Sequence, residues 1–180
     1  MTHLYQETRI DFAPGDVPDL YAIHRRVLAV TDGDKSISYA PRGINRDGRM
    51  EVVLRALPGV SFPDELPVTE YLLAHGMTLN FQSGVRIVKQ SDRGERMPTE
   101  AEALDKWLRL MENGGFQVES TRLEPSVIGF YHNRLSRFTR LPFWIVAGRL
   151  TVMDPQKAAC TMVQGVGRGR GLGFGKLITS

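Results

Sequence analysis

Hydrophobic positions along this chain recur in two rhythms, one of period two and one of helical period. The first segment, HLYQETRIDF, alternates well enough to predict a strand. The next, DVPDLYAIHRRVLAV, brings Leu20, Ile23 and Val27 onto one stripe and predicts a helix. Asp16 or Asp19 would serve as its N-cap, Pro18 is tolerated in a first turn, and TDGD ends it. ISYAPRGI and MEVVLRAL, joined by NRDG, read as a hairpin, because Asp47-Gly48 supplies the positive backbone angles that a tight turn needs. After the loop PGVSFPDELP, VTEYLLAHG predicts a short helix and MTLNFQSGVRIVKQ predicts a strand pair or one bent strand.

The strongest helix is TEAEALDKWLRLMENGG. Thr99 and Glu102 form a capping box, Leu104, Trp107, Leu108 and Met111 make its core face, and Asn113-Gly114-Gly115 stop it. FQVESTRLEP and LPFWIVAGRLTV predict strands on either side of a basic stretch from His132 to Arg140. DPQKAACTMVQG predicts a last helix, with Asp154 as cap, Pro155 in the first position and Gly165 just past the end. The order strand, helix, strand, strand, helix, strand is therefore well formed in the second half and reduced in the first. It predicts an α+β chain of two tandem ferredoxin-like, or RRM-like, domains over 1–76 and 77–180, the first with a reduced second helix. The topology repeats without a sequence period. Sheets of this kind are common RNA platforms, but fold alone does not establish that use.

A third pattern, GVGRGRGLGFGKL, has glycine at every second position from Gly165 through Gly175. A dinucleotide fingerprint needs glycine at its first, third and sixth places, and strict alternation always fails the sixth. A P-loop needs Gly-Lys followed by Ser or Thr, whereas Gly175 and Lys176 are followed by Leu177. A solvated tail has no use for Leu172, Phe174, Leu177 and Ile178, which alternate or cluster as a buried strand would. The stretch reads as an ordered loop that lets backbone approach a ligand closely.

Charge adds what patterning cannot. Residues 1–124 carry 15 Lys and Arg against 19 Asp and Glu, a net charge of −4, while residues 125–180 carry 8 against 1, a net charge of +7. The basic third, with Arg134, Arg137, Arg140, Arg149, Arg168 and Arg170, would favour a polyanion, and a solvated basic face is the plain alternative. No basic amphipathic helix lies in that third, so nucleic acid is favoured over a membrane surface. No apolar stretch approaches the roughly 18 residues of a membrane span. The single cysteine, Cys160, excludes an internal disulfide, and a reducing cytoplasm fits best. No Cys/His set has metal-ligand spacing, and no carboxylate cluster, GxSxG elbow or HExxH helix is present, so neither metal nor cofactor is expected.

What chemistry remains lies in LYAIHRR. Tyr21 and His24 stand three apart on the first predicted helix and share a face, with Arg25 and Arg26 following at once. Histidine can take a proton from a hydroxyl or give one to a leaving oxygen, while Tyr and Arg can orient and stabilise a phosphate. That set suffices for metal-free RNA cleavage by the ribose 2′-hydroxyl. His3, His75 and His132 have comparable claims on composition, and His132 is the best rival because it sits in the basic stretch.

The segments DLYAIHRRVL, GFQVESTRLEP, GRLTVMDP and GVGRGRGLGFGKL resemble, in that order, the CasE family of repeat-processing endoribonucleases of CRISPR Cascade complexes. The resemblance runs from about Asp19 to Ile178. It implies a tandem ferredoxin-like protein that binds the stem-loop of a CRISPR repeat and cuts at its base without metal. The product would end in a 2′,3′-cyclic phosphate, and the enzyme would stay on the mature crRNA beside other subunits of a Cascade-like effector complex. By position, Tyr21 and His24 match the catalytic pair, Arg168 and Arg170 fall in the glycine-rich loop with Lys176 at its end, and Arg134, Arg137 and Arg140 match the region that inserts toward the RNA stem. Arg25 and Arg26 adjoin the catalytic histidine and would contact the scissile phosphate. The chain is shorter than most members, and the Arg-rich motif expected at the start of the second domain is replaced by NFQSGVRIVKQ, with Arg86 and Lys89 as partial substitutes. Two readings stay beside this one: a non-catalytic RNA-binding subunit on the same scaffold, and a small-molecule enzyme using the glycine loop for a phosphate.

Overall fold

A computed structural model gives the fold and describes residues 2–14, 16, 18–63, 66–92, 94–132 and 137–179, the side chain of residue 132 excepted. The first half forms a four-stranded antiparallel sheet of β1 (Thr2–Asp11), β2 (Ser38–Ile44), β3 (Met50–Ala56) and β4 (Thr69–Ala74), in the order β2-β3-β1-β4. Helix α1 (Leu20–Val30) starts where Asp19 accepts a hydrogen bond from the Ala22 amide at 2.7 Å, which satisfies one of the unpaired donors of the first turn. Its stripe Ile23 and Val27 packs on Ile10, Val52, Leu54 and Ala56, alternate residues of β1 and β3.

The second half repeats the order. β5 (Thr78–Val85), β8 (Phe116–His132), β9 (Arg137–Val152) and β10 (Ile178–Thr179) form a sheet in the order β10-β5-β9-β8, and a small hairpin, β6 (Lys89–Ser91) with β7 (Gly94–Arg96), is inserted after β5. Helix α2 (Glu100–Asn113) begins at the expected Thr99/Glu102 capping box and buries Ala103, Trp107 and Met111. Helix α3 (Pro155–Gln164) begins at Asp154 with Pro155 in its first turn. Both sheets therefore carry the strand order of a ferredoxin-like unit, first strand between fourth and third, second at the edge. Among the described residues no helix is long and apolar enough to cross a membrane.

Three expectations are corrected. VTEYLLAHG is not a helix: Thr69–Ala74 pairs with β1, from Thr2 opposite Ala74 to Glu7 opposite Thr69, because an edge position beside β1 satisfies a segment too short to hold a helix alone. The place of the missing second helix is taken by the loop between β3 and β4, whose Val60, Phe62 and Leu66 pack into the cluster under α1. Leu108 is exposed rather than part of the α2 core, since the buried stripe runs through Ala103, Trp107 and Met111. The glycine stretch is an ordered loop, as expected: Arg170–Leu172 is a 3-10 turn, and a strand follows at Ile178–Thr179. The two strands flanking the basic stretch are longer than expected and pair from Phe116 opposite Val152 to His132 opposite Arg137, with one bulge between Val118 and Ser120.

The two halves lock together through the face of the first sheet that α1 leaves open. Tyr5 and Leu73 of that face share a cluster with Ala158, Ala159 and Met162 of α3 and with Phe81, Val146 and Leu150 of the second sheet. In the middle, buried Arg55 donates from Nε to Glu7 at 2.9 Å and from Nη1 to the carbonyls of Leu177 at 2.6 Å and Met162 at 3.2 Å. The guanidinium is thus paired and bonded on both sides of the seam, as a buried charge must be.

Candidate functional site

A third, smaller cluster assembles the site. Leu20 at the start of α1, Phe130 of β8 and Phe174 of the glycine stretch are buried against one another, with Ile128, Leu141, Phe143 and Leu172 around them. This contact fixes the first turn of α1 beside the long hairpin of the second half and beside the glycine-rich loop.

The loop is shaped by its glycines at two places above all. Gly175 has φ of 74°, its amide donates to the Gly84 carbonyl at 2.7 Å, and a Cβ there would overlap the Val166 carbonyl. Gly173 has φ of 84° and lies against β2, where a Cβ would stand 2.6 Å from Pro41 Cδ and 3.2 Å from the Tyr39 ring. Positive φ and close approach coincide, so neither position accepts another residue without movement. Just before Gly173, Arg170 and Gly171 line the edge of a cavity of about 460 Å³. The same cavity is lined by His24 of α1 and by Tyr39 of β2.

His24 is half-buried. Its Nδ1 lies 3.3 Å from Tyr39 Oη, and that hydroxyl donates to the Gly171 carbonyl at 2.8 Å. Burial pushes the Tyr39 phenol well above its ordinary value, so it stays protonated at neutral pH. Tyr21 lies next to His24 on the helix, ring centroids 6.4 Å apart and tilted by 52°. Arg25 stands over the Tyr21 ring, its guanidinium carbon 5.8 Å from the centroid, in cation–π contact. Arg26 is exposed on the same helix.

The remaining basic residues divide. Arg137 and Arg140 are exposed on β9, near the end of the long hairpin, while Arg134 lies outside the described residues. Arg168 and Arg170 are both exposed. Arg168 is tied to Glu95 of β7, which also accepts from Arg86 at 3.0 Å, and the Arg168 amide donates to the Arg86 carbonyl at 3.1 Å. Arg86 and Lys89, expected as substitutes for a missing basic motif, are thus engaged by Glu95 and Glu102 respectively. The expectation for Lys176 is corrected. It is buried, and its Nζ donates to the Val163 carbonyl at 2.6 Å, at the inner wall of the cavity rather than on a surface that a backbone phosphate reaches. Burial, then the charges of Arg55 and Arg170, push its pKa down to about 7.

Sequence reasoning missed Tyr39 and the Gly171 carbonyl. Tyr39 reads as an ordinary inward residue of a strand, and its hydroxyl gains meaning only from contacts 15 and 132 positions away. Among the described residues no group of three or more His, Cys, Asp or Glu could hold a metal ion. The site therefore offers a histidine, a buried phenol, a tyrosine and several arginines: proton transfer and anion binding.

A family model described as CRISPR associated protein matches residues 54–179. No curated protein matches the sequence. Among solved structures, Thermus thermophilus Cse3 bound to an RNA representing a pre-cleavage complex superposes with a TM-score of 0.74 at 19% identity, covering 99% of this chain and 99% of that one. The CRISPR-associated protein Cas6e from Escherichia coli str. K-12 gives 0.68 at 18% identity, covering 98% of each chain. A chain of a CRISPR RNA-guided surveillance complex, pre-nicking, gives 0.64 at 12% identity, with 98% and 99% covered. At such identities the likeness is one of fold, and the fold is the tandem ferredoxin-like one.

Proposed function

Because the chain belongs to the CRISPR-associated protein family, we propose that it is an endoribonuclease that binds the stem-loop of a CRISPR repeat, cuts the precursor transcript and stays on the mature crRNA. The observation that carries this reading is the meeting of two distant segments at one cavity: His24 from the first half and Arg170 and Gly171 from the glycine-rich loop of the second. The proposed division of labour follows a topological boundary at 76/77. Residues 1–76 supply the proton-transfer helix, and residues 77–180 supply the loop and hairpin that hold RNA.

In the proposed step, the ribose 2′-oxygen attacks the adjacent phosphorus as its proton leaves to a base, and the bond to the 5′-oxygen breaks as that oxygen gains a proton. The new O–P bond closes a 2′,3′-cyclic phosphate and no water is consumed. His24 serves as the proton-transfer group, Tyr21 orients the attacking hydroxyl or the phosphate, and Arg25, Arg26 and Arg170 offset the charge that grows on the phosphoryl oxygens. Arg137, Arg140 and Arg168 hold the stem, together with Arg134, which lies outside the described residues. The reaction draws on no metal ion and no cofactor. The fold shared with an RNA-bound Cse3 and with a chain of a surveillance complex supports repeat RNA and other effector-complex subunits as the partners.

The test is single-turnover cleavage of repeat RNA in excess EDTA. Wild type is expected to cut undiminished, and His24→Ala to lose about 10²- to 10⁴-fold in rate while still binding. Loss of cutting on chelation, or full activity of His24→Ala, would overturn the reading; binding by wild type with no cutting at all would leave a non-catalytic RNA-binding subunit.

A further inference from the structure

We infer that Tyr39 is a positioning residue that holds neutral His24 in its Nδ1–H form, so that the bare Nε2 faces the cavity, and that it ties this state to the seating of the glycine-rich loop. The inference rests on the proposed role of His24 and adds which nitrogen acts and what selects it.

Counting protons gives the assignment. Tyr39 has one hydroxyl proton and two neighbours, the Gly171 carbonyl at 2.8 Å and His24 Nδ1 at 3.3 Å. A carbonyl oxygen only accepts. Were the proton given to His24, the Tyr39 and Gly171 oxygens would face each other lone pair to lone pair at 2.8 Å, inside a partly buried site where an unmade hydrogen bond is costly. The proton therefore goes to Gly171, and the Tyr39 oxygen is left as an acceptor for Nδ1–H. Neutral imidazole carries one proton, so Nε2 keeps its lone pair. That is the nitrogen suited to take the proton of a 2′-hydroxyl. Fixing one ring nitrogen through the bond made by the other is a general way of setting histidine chemistry.

The second part follows from the position of Gly171. It lies between Arg170, at the rim of the cavity, and Gly173, which rests on the Tyr39 ring and Pro41. Movement of the loop that draws Gly171 away frees the Tyr39 proton to turn toward Nδ1, which would then have to accept, and the proton of His24 would move to Nε2. Nε2–H cannot act as a base. RNA that seats the loop through Arg170 thus favours the active tautomer.

The experiment is a 15N–1H multiple-bond correlation spectrum of the imidazoles of the full chain, at a pH where they are neutral. His24 is assigned by the signals lost in His24→Gln. Wild-type His24 is expected to show protonated Nδ1 and bare Nε2, the reverse of the form that dominates for a free histidine side chain in water. Tyr39→Phe is expected to shift the balance toward Nε2–H and to slow single-turnover cleavage about 10-fold or more, with affinity for repeat RNA unchanged within about 2-fold, a smaller loss than removal of the base itself. A wild-type His24 found as Nε2–H, or a folded Tyr39→Phe with an unchanged His24 tautomer, overturns the inference. The wild-type spectrum decides even if Tyr39→Phe fails to fold. It also decides separately from function, since His24→Ala could retain cleavage while the tautomer assignment stands.

Discussion

β3 and β9 hold the same place in two sheets of identical order, yet they are buried differently. In β3, five consecutive residues from Val52 to Ala56 are buried, Arg55 among them. In β9, burial alternates through Trp144, Val146, Leu150 and Val152, and Arg149 is exposed just before Leu150. The first sheet is covered on both faces, by α1 and its loop on one side and by α3 on the other. The second carries α2 and α3 on one face and presents Asn80, Gln82, Arg122 and Arg149 on the other. A strand buried on both faces reads as a continuous apolar run, and one buried on a single face alternates. The first half can dispense with its second helix because a loop fills that place and the second half supplies the opposite cover.

The comparison can be broken most completely by removing α3. A fragment of residues 1–76 is expected to lack cooperative unfolding by circular dichroism, since Tyr5, Leu73 and the Glu7–Arg55 pair would lose their cover. A fragment that unfolds cooperatively would show that the first sheet does not need its second cover. A smaller break is Arg55→Met, which leaves Glu7 buried without its closer partner and with only Arg9 at 3.7 Å. It should cost about 3–5 kcal/mol in urea titration, and Glu7→Gln added to it should recover part of that loss.

Lys176 sharpens the comparison by degree, because it is another buried cation near the same seam and, among the described residues, has no carboxylate partner. Its folded pKa of about 7 lies below the ordinary 10.5. Between these values the unfolded chain binds the extra proton, so stability rises with pH through that window, is greatest above about 10.5, and falls as pH drops toward 7. Wild type is expected to melt several degrees higher at pH 9 than at pH 7, and Lys176→Met to flatten that difference. Equal slopes for the two proteins would show that the amine is charged and well solvated in the folded state.

Legibility in the sequence follows the same division. Local signals placed the start of α1 at Asp16 or Asp19, of which Asp19 is the cap, and placed α2 at its Thr99/Glu102 box, the Asp47-Gly48 hairpin and α3, because capping and turn chemistry act within a few residues. Tyr21, His24 and the arginines of the loop were legible as chemical types. β4 was misread because TEYLLA suits either period, and only pairing with β1 decides. Lys176 was misread because its neighbours in sequence are those of an exposed loop, while the Val163 carbonyl that takes its proton lies on α3. Tyr39 was passed over for the same reason: what it does depends on His24 and Gly171, which only the meeting of the two halves brings to it.

The central claim is that the RNA supplies its own nucleophile at the cavity between α1 and the glycine-rich loop. It is tested most directly with a repeat RNA carrying a single 2′-deoxy nucleotide just upstream of the cut. The expected result is binding as tight as for unmodified RNA with cleavage abolished, and a 2′,3′-cyclic phosphate at the end of the unmodified product. Cleavage of the deoxy substrate at an undiminished rate would make water the nucleophile and contradict the account.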